Sequence, residues 1–188
     1  MIWPRSIGRV SGHLVNTMTG RARSGTMADV NGHESEVRFR DPPVWLQTLA
    51  IDDIDVVCPH CGCRAVVSAE PVEGAVAMHW PRRFVCTGCV SASEWQPKGG
   101  SSCWGGPVDP YFRLPLWLQE RCCGGQTLWA FNEAHLALLA DYVRAKLRER
   151  NPQRPGLTMV ARLPPWLKSA KNRDEILRAI TRLRRRLR

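Results

Sequence analysis

The sequence predicts an α+β protein, a small antiparallel zinc ribbon with an added hairpin and two C-terminal helices. Two paired-cysteine motifs, Cys58-Pro-His-Cys61 and Cys86-Thr-Gly-Cys89, bracket a stretch of strand and loop composition. Downstream, two strand-like runs meet across Cys123-Gly-Gly125, and two segments then change to helical periodicity behind Asn132 and Asn172. These features divide the chain into residues 1–38, a disordered N-terminal extension; 39–97, a lead-in and the ribbon; 98–131, a loop and hairpin; and 132–188, a helical region with a basic last helix.

Each element has a local reason. Residues 64–69 read as a strand, 70–80 contain the Pro and Gly of a loop, 83–85 read as a strand, and 91–96 as a third that brings Trp95 onto the sheet. Residues 97–110 are turn-rich, after which 111–121 and 126–131 are expected to pair as the hairpin. Asn132 is a good N-cap, and Leu136, Leu139, Tyr142, Val143 and Leu147 recur at helical spacing through Arg150. Residues 151–156, with two Pro and a Gly, end that helix. Asn172-Arg-Asp-Glu175 has the form of a capping box, and Ile176, Leu177, Ile180, Leu183 and Leu187 mark one face of the last helix.

The cysteine spacing carries the chemistry. Zinc takes four soft ligands in a tetrahedron, and two residues between thiolates let a tight turn aim both sulfurs at one ion. Cys58, Cys61, Cys86 and Cys89 are therefore expected to hold one structural Zn2+, with Gly62 and Gly88 permitting the backbone bends. So small a sheet has little core of its own, and metal binding would supply much of its folding free energy. A disulfide framework would require an exported protein, and a redox dithiol would require a helix after the pair; neither context is present. Cys63 competes in principle with Cys61, but C-P-H-C is the better-spaced pair, and His60 is expected to be solvated. Cys103, Cys122 and Cys123 are read as packing residues. Pairing Cys122 or Cys123 with His135 as nucleophile and base would leave no third group to orient the base. With no phosphate-cradling Gly loop and no paired carboxylates on one face, no small-molecule substrate or catalytic function is indicated.

Charge is unevenly spread. The net +10 arises mostly from residues 168–188, where nine Lys and Arg face only Asp174 and Glu175. Residues 1–28 carry four Arg and no acid, while 29–57 carry two Arg and seven acids. The first 26 residues have no apolar period and no secretory h-region, and Met27 opens a different composition, so translation is expected to start there. Lys168, Lys171, Arg178, Arg182, Arg185 and Arg186 are the candidate contacts to nucleic acid, since Arg clusters suit bidentate phosphate recognition. Arg82 and Arg83 are candidates to extend that patch. No run of the chain reaches the roughly 18 apolar residues of a membrane span.

Eight Trp in this length are read mainly as core anchors. Three lie in Pro-x-Trp-Leu segments at Trp45, Trp117 and Trp166, where Pro is expected to start an element that the indole pins. Unequal intervals argue against a repeat. Bases stacking on Trp104, Trp117 or Trp129 is the alternative.

The cysteine pairs, together with Asp109-Pro-Tyr-Phe-Arg-Leu-Pro-Leu-Trp-Leu118, Leu128-Trp-Ala-Phe-Asn132 with His135-Leu136, and Arg162-Leu-Pro-Pro-Trp166 through Ala170-Lys-Asn-Arg173, resemble the bacterial zinc-ribbon proteins described as having a transcription-factor-IIB-type ribbon. The resemblance implies a small cytoplasmic metal-binding protein and brings no activity with it. The sequence thus points to a non-catalytic adaptor for nucleic acid or a nucleic-acid-associated protein. The alternatives are a module that docks on an acidic protein partner through its ribbon and Trp surface, and a thiol redox enzyme, whose cysteines would stay reactive with metal bound.

Overall fold

A computed structural model of the chain describes residues 38–97, 102–149 and 158–188. Residues 1–37, which hold nearly all of the expected N-terminal extension, and the linker at 151–156 lie outside the described residues. The described chain is a mixed α/β structure. Its main sheet is antiparallel in the order β2-β3-β4-β5, with β2 Ile54–Val57, β3 Arg64–Ala69, β4 Arg82–Val85 and β5 Ala92–Trp95. Register follows the period-two pattern: Ile54 pairs with Val67, Val56 with Ala65 and Val67 with Phe84, so all five apolar side chains are buried together.

The free edge of β2 is closed by the second half of the chain. Val57 N–H donates to Pro115 O, Trp117 N–H to Asp55 O and Asp55 N–H to Phe131 O. Behind this edge β6 (Leu118–Cys122) and β7 (Gln126–Ala130) form the expected hairpin, and Cys123, Gly124 and Gly125 all adopt positive φ in its turn. The first strand starts later than the expected residue 111. The buried Asp109 carboxylate accepts hydrogen bonds from the backbone of Tyr111, Phe112 and Leu114, which commits that segment to a loop.

Asn132 caps α2 (Glu133–Arg144) as its sequence position suggests, accepting from His135 N–H, and its amide also donates to Leu49 O and Asp53 O. The helix stops at Arg144 rather than continuing to Arg150. Arg148 turns back to donate to Tyr142 O and lies over the Tyr142 ring, while Arg173 donates to the carbonyls of Val143 and Ala145. These cations satisfy the helix's last carbonyls, where its dipole is negative. Leu147, expected on the helix's apolar face, lies instead in β8 (Leu147–Glu149), is largely exposed, and pairs in parallel with β1 (Arg38–Arg40).

The Pro-x-Trp-Leu segments do start elements: α1 (Leu46–Leu49) follows Trp45, β6 follows Trp117, and α3 (Pro165–Lys168) follows Pro164. The last helix, α4 (Arg173–Arg185), buries Ile176, Ala179, Ile180 and Leu183 against α2 and β6. Its capping box does not form. Asn172 is itself helical and donates to Trp166 O, and Glu175 accepts from Cys123 N–H, so the box residues tie α4 to its neighbours instead.

Arg82 is removed from any surface patch, being only 1% exposed. Its guanidinium donates to Ala50 O, Ala77 O and the Tyr111 hydroxyl, and it stacks over the Tyr111 ring with 4.2 Å to the centroid. Arg82→Ala is expected to lower stability in urea unfolding by about 3–5 kcal/mol, from the cavity and the lost charge-assisted bonds. Arg83→Ala, at the adjacent exposed position, is expected to change it by less than about 0.5 kcal/mol.

Candidate metal centre

The main sheet brings two turns side by side at one end. Cys58 and Cys61 sit in the turn between β2 and β3, and Cys86 and Cys89 in the turn between β4 and β5. All four sulfurs lie within 4.8 Å of one another. Cys58 Sγ is 3.6 Å from Cys89 Sγ, and Cys61 Sγ is 3.6 Å from Cys86 Sγ. Zinc–sulfur bonds of about 2.3 Å in a tetrahedron place sulfurs about 3.8 Å apart, so the cluster can hold one metal ion with little adjustment. Cys58 and Cys86 are buried and Cys61 and Cys89 are exposed, so the cluster sits at the edge of the sheet with one thiol of each pair toward solvent.

The two turns share one construction. Cys58 N–H donates to Cys63 O and Cys86 N–H donates to Ser91 O, so each pair is closed by the residue five positions on. His60 N–H points at Cys58 Sγ at 3.4 Å, the N–H to sulfur contact that stabilises thiolate charge. Cys63 and Ser91 occupy corresponding positions. Ser91 Oγ lies 3.1 Å from Cys89 Sγ and, with its backbone, holds that thiol down to about 6, whereas Cys63 stands outside the cluster. His60 is exposed, as expected of a solvated side chain.

Gly62 provides the expected backbone bend, whereas Gly88 does not bend its turn. Gly62, with φ +72°, is the left-handed residue of the first turn, but its counterpart in the second is Val90 at φ +60° and not Gly88. Gly88 is required for closeness instead. A Cβ there would come within 3.2 Å of both Cβ and Sγ of Cys63 and within 3.6 Å of Cys61 Sγ.

The remaining thiols are not gathered into a second cluster; among the described residues these four form the one group of three or more metal-ligating side chains. Burial pushes Cys122 up to about 12 and also raises Cys123, so neither is a ready thiolate. His135 is buried against Trp129 and Phe131, and its Nδ1 accepts from Phe131 N–H. No described hydrogen bond joins it to either cysteine.

The six basic candidates fall into two sets. Lys168 donates to Ala161 O, Arg182 pairs with Glu120, and Arg186 pairs with Glu120 and donates to Gln119 O. The side chains of Lys171, Arg178 and Arg185 are exposed and make no hydrogen bond or ion pair with a described residue. Comparison of the chain with protein-family models, with curated proteins and with solved structures finds no match. No helix among the described residues is long and apolar enough to cross a membrane.

Two consequences are measurable. Val90 is a β-branched residue held at positive φ while 87% exposed, so Val90→Gly is expected to stabilise the fold by about 1 kcal/mol in thermal or urea unfolding. Desolvation holds His135 down to about 4 from its ordinary 6.5. As pH falls below 6.5 the unfolded chain takes up a proton that the folded chain refuses, so stability is lost until about pH 4, by about 3 kcal/mol. The stability of His135→Gln, which keeps an acceptor for Phe131, should lack that component when both proteins are unfolded across this range.

Proposed function

We propose that the chain is a non-catalytic adaptor in which Cys58, Cys61, Cys86 and Cys89 hold one structural zinc ion and the exposed side of α4 binds nucleic acid. Four thiolates in a closed tetrahedral arrangement favour zinc over the harder cations, which prefer oxygen ligands. The turn, strand, loop, strand, turn, strand order around the cluster is the basis for reading the domain as a zinc ribbon related to the bacterial proteins named above. Reduced, closely spaced thiols suit a cytoplasmic setting.

The observation that carries the nucleic-acid reading is a stripe of cations. Lys171, Arg178 and Arg185 recur every seven residues, which on α4 places Arg178 and Arg185 on one side, and none of the three forms an ion pair with a described residue. The opposite side of the helix is buried, so the stripe faces solvent. Flexible guanidinium groups at two-turn spacing suit a row of backbone phosphates better than a single ligand.

The test uses the full chain with its native metal content, which should be one zinc per chain. Deleting α4 would remove Ile176, Ile180 and Leu183 from the core, so point substitutions are the sound probe. Binding to duplex DNA and to RNA over a salt series is expected to give a log–log slope of about −3, and Lys171→Gln, Arg178→Gln and Arg185→Gln should each reduce it by about 0.9 without changing zinc content. Weak binding indifferent to all three would transfer the function to a protein partner with an acidic surface.

A further inference from the structure

Half of the chain's tryptophans converge on one cavity far from any role in the reading above. Trp45, Trp104, Trp129 and Trp166 line a space of about 610 Å³, within the range of small-molecule sites. They come from four separate places: the entry to α1, the loop after β5, strand β7 and helix α3. Two belong to Pro-x-Trp-Leu segments, so the same prolines that start α1 and α3 also fix indoles at the cavity wall. None of the four is fully buried, and Trp45 is 39% exposed. Trp104, Trp129 and Trp166 pack against the core on one side, and all four indoles keep apolar surface toward the open volume on the other.

The polar side chains in the wall are few: Gln47, Thr127, His135 and Arg162. His135 is buried and, because Nδ1 accepts from Phe131 N–H, its proton sits on Nε2. No described residue accepts a hydrogen bond from that nitrogen, which leaves a donor available in the cavity wall. Arg162 also lines the space, and its exposed side chain makes no hydrogen bond or ion pair with a described residue. No Asp or Glu is in the lining. An aromatic cage for a quaternary or methylated ammonium would be opposed by Arg162 and would have no carboxylate to help it.

We propose that this cavity binds a small planar aromatic anion, its ring held among the indoles, an acceptor atom on His135 Nε2–H and its carboxylate or equivalent group on Arg162. The proposal is independent of the metal and of α4, because no cysteine ligand and no residue of α4 is in the wall.

The experiment is calorimetric titration of the full-length protein with three probes of closely similar size: naphthoate, naphthylmethanol and naphthylmethylammonium. Naphthoate is expected to bind saturably, one per chain, and about tenfold more tightly than the ammonium. Arg162→Gln should weaken naphthoate about tenfold and leave naphthylmethanol unchanged, while Trp45→Ala should weaken both. Arg162 is exposed, so Arg162→Gln should keep the parent's melting temperature; Trp45 is more than half covered, so the melting temperature of Trp45→Ala is measured alongside and the titration is run well below it. Absence of saturable binding by every probe at millimolar concentration would overturn the proposal. So would equal affinity for anion and ammonium, or naphthoate binding indifferent to both substitutions.

Discussion

The join between the cysteine-bearing sheet and the rest of the molecule depends on a buried cation. A guanidinium sealed from water at Arg82 has lost its hydration, and burial lowers its affinity for a proton. No carboxylate is bonded to it. It is held instead by two backbone carbonyls and a phenol, from the end of α1, the loop before β4 and the Asp109 loop. Each of those segments is irregular, and each is fixed because Arg82 needs its oxygen. The arrangement explains why the Asp109 loop takes up three of its own N–H groups: Tyr111 has to be presented rigidly, or the cation would have no ring to stack on.

With that join in place, the sheet end becomes a platform for two matching turns. Their likeness lies in hydrogen bonding and not in residue identity, since Gly62 corresponds to Val90 and Cys63 to Ser91. This accounts for the asymmetry between the thiols. Where the fifth position is Ser, a hydroxyl reaches the neighbouring sulfur; where it is Cys, the side chain leans over Gly88. An ion bound between the turns would tie β2–β3 to β4–β5 at their ends and relieve the crowding of four thiolates, which is why metal and sheet would fold together.

Much of this was legible in the chain. The cysteine quartet, the β3 limits, the hairpin turn and the Asn132 cap all follow from short-range rules, because turn chemistry and ligand spacing act over a few residues. The departures share a cause in tertiary partners. The periodicity through Leu147 predicted more helix, but Arg148 and Arg173 satisfy the carbonyls of α2 from outside and release residues 147–149 to pair with β1. The capping box at Asn172 had the right letters, yet Glu175 and Asn172 found partners on the hairpin and on α3. Arg82 gave no sign of burial, since its three acceptors lie 5, 29 and 32 residues away. The Trp-lined cavity was equally hidden, because its walls come from elements whose approach no local pattern specifies.

The same reasoning changes what a net charge means. Nine cations in residues 168–188 look like one basic tail in the sequence. In the structure Lys168 and Arg173 serve as bolts to backbone carbonyls, and Arg182, Arg184 and Arg186 pair with Glu120 and Glu133. Arg173, Arg182, Arg184 and Arg186 hold α4 to α2 and to the hairpin, Lys168 ties α3 back to Ala161, and a phosphate approaching any of them would have to displace a protein acceptor first. The remaining cations set the field that a polyanion would meet at no such cost. Charge in a folded helix is therefore divided between cohesion and display, and the division follows the helix face: side chains flanking the buried stripe find carboxylates, and those opposite it find water.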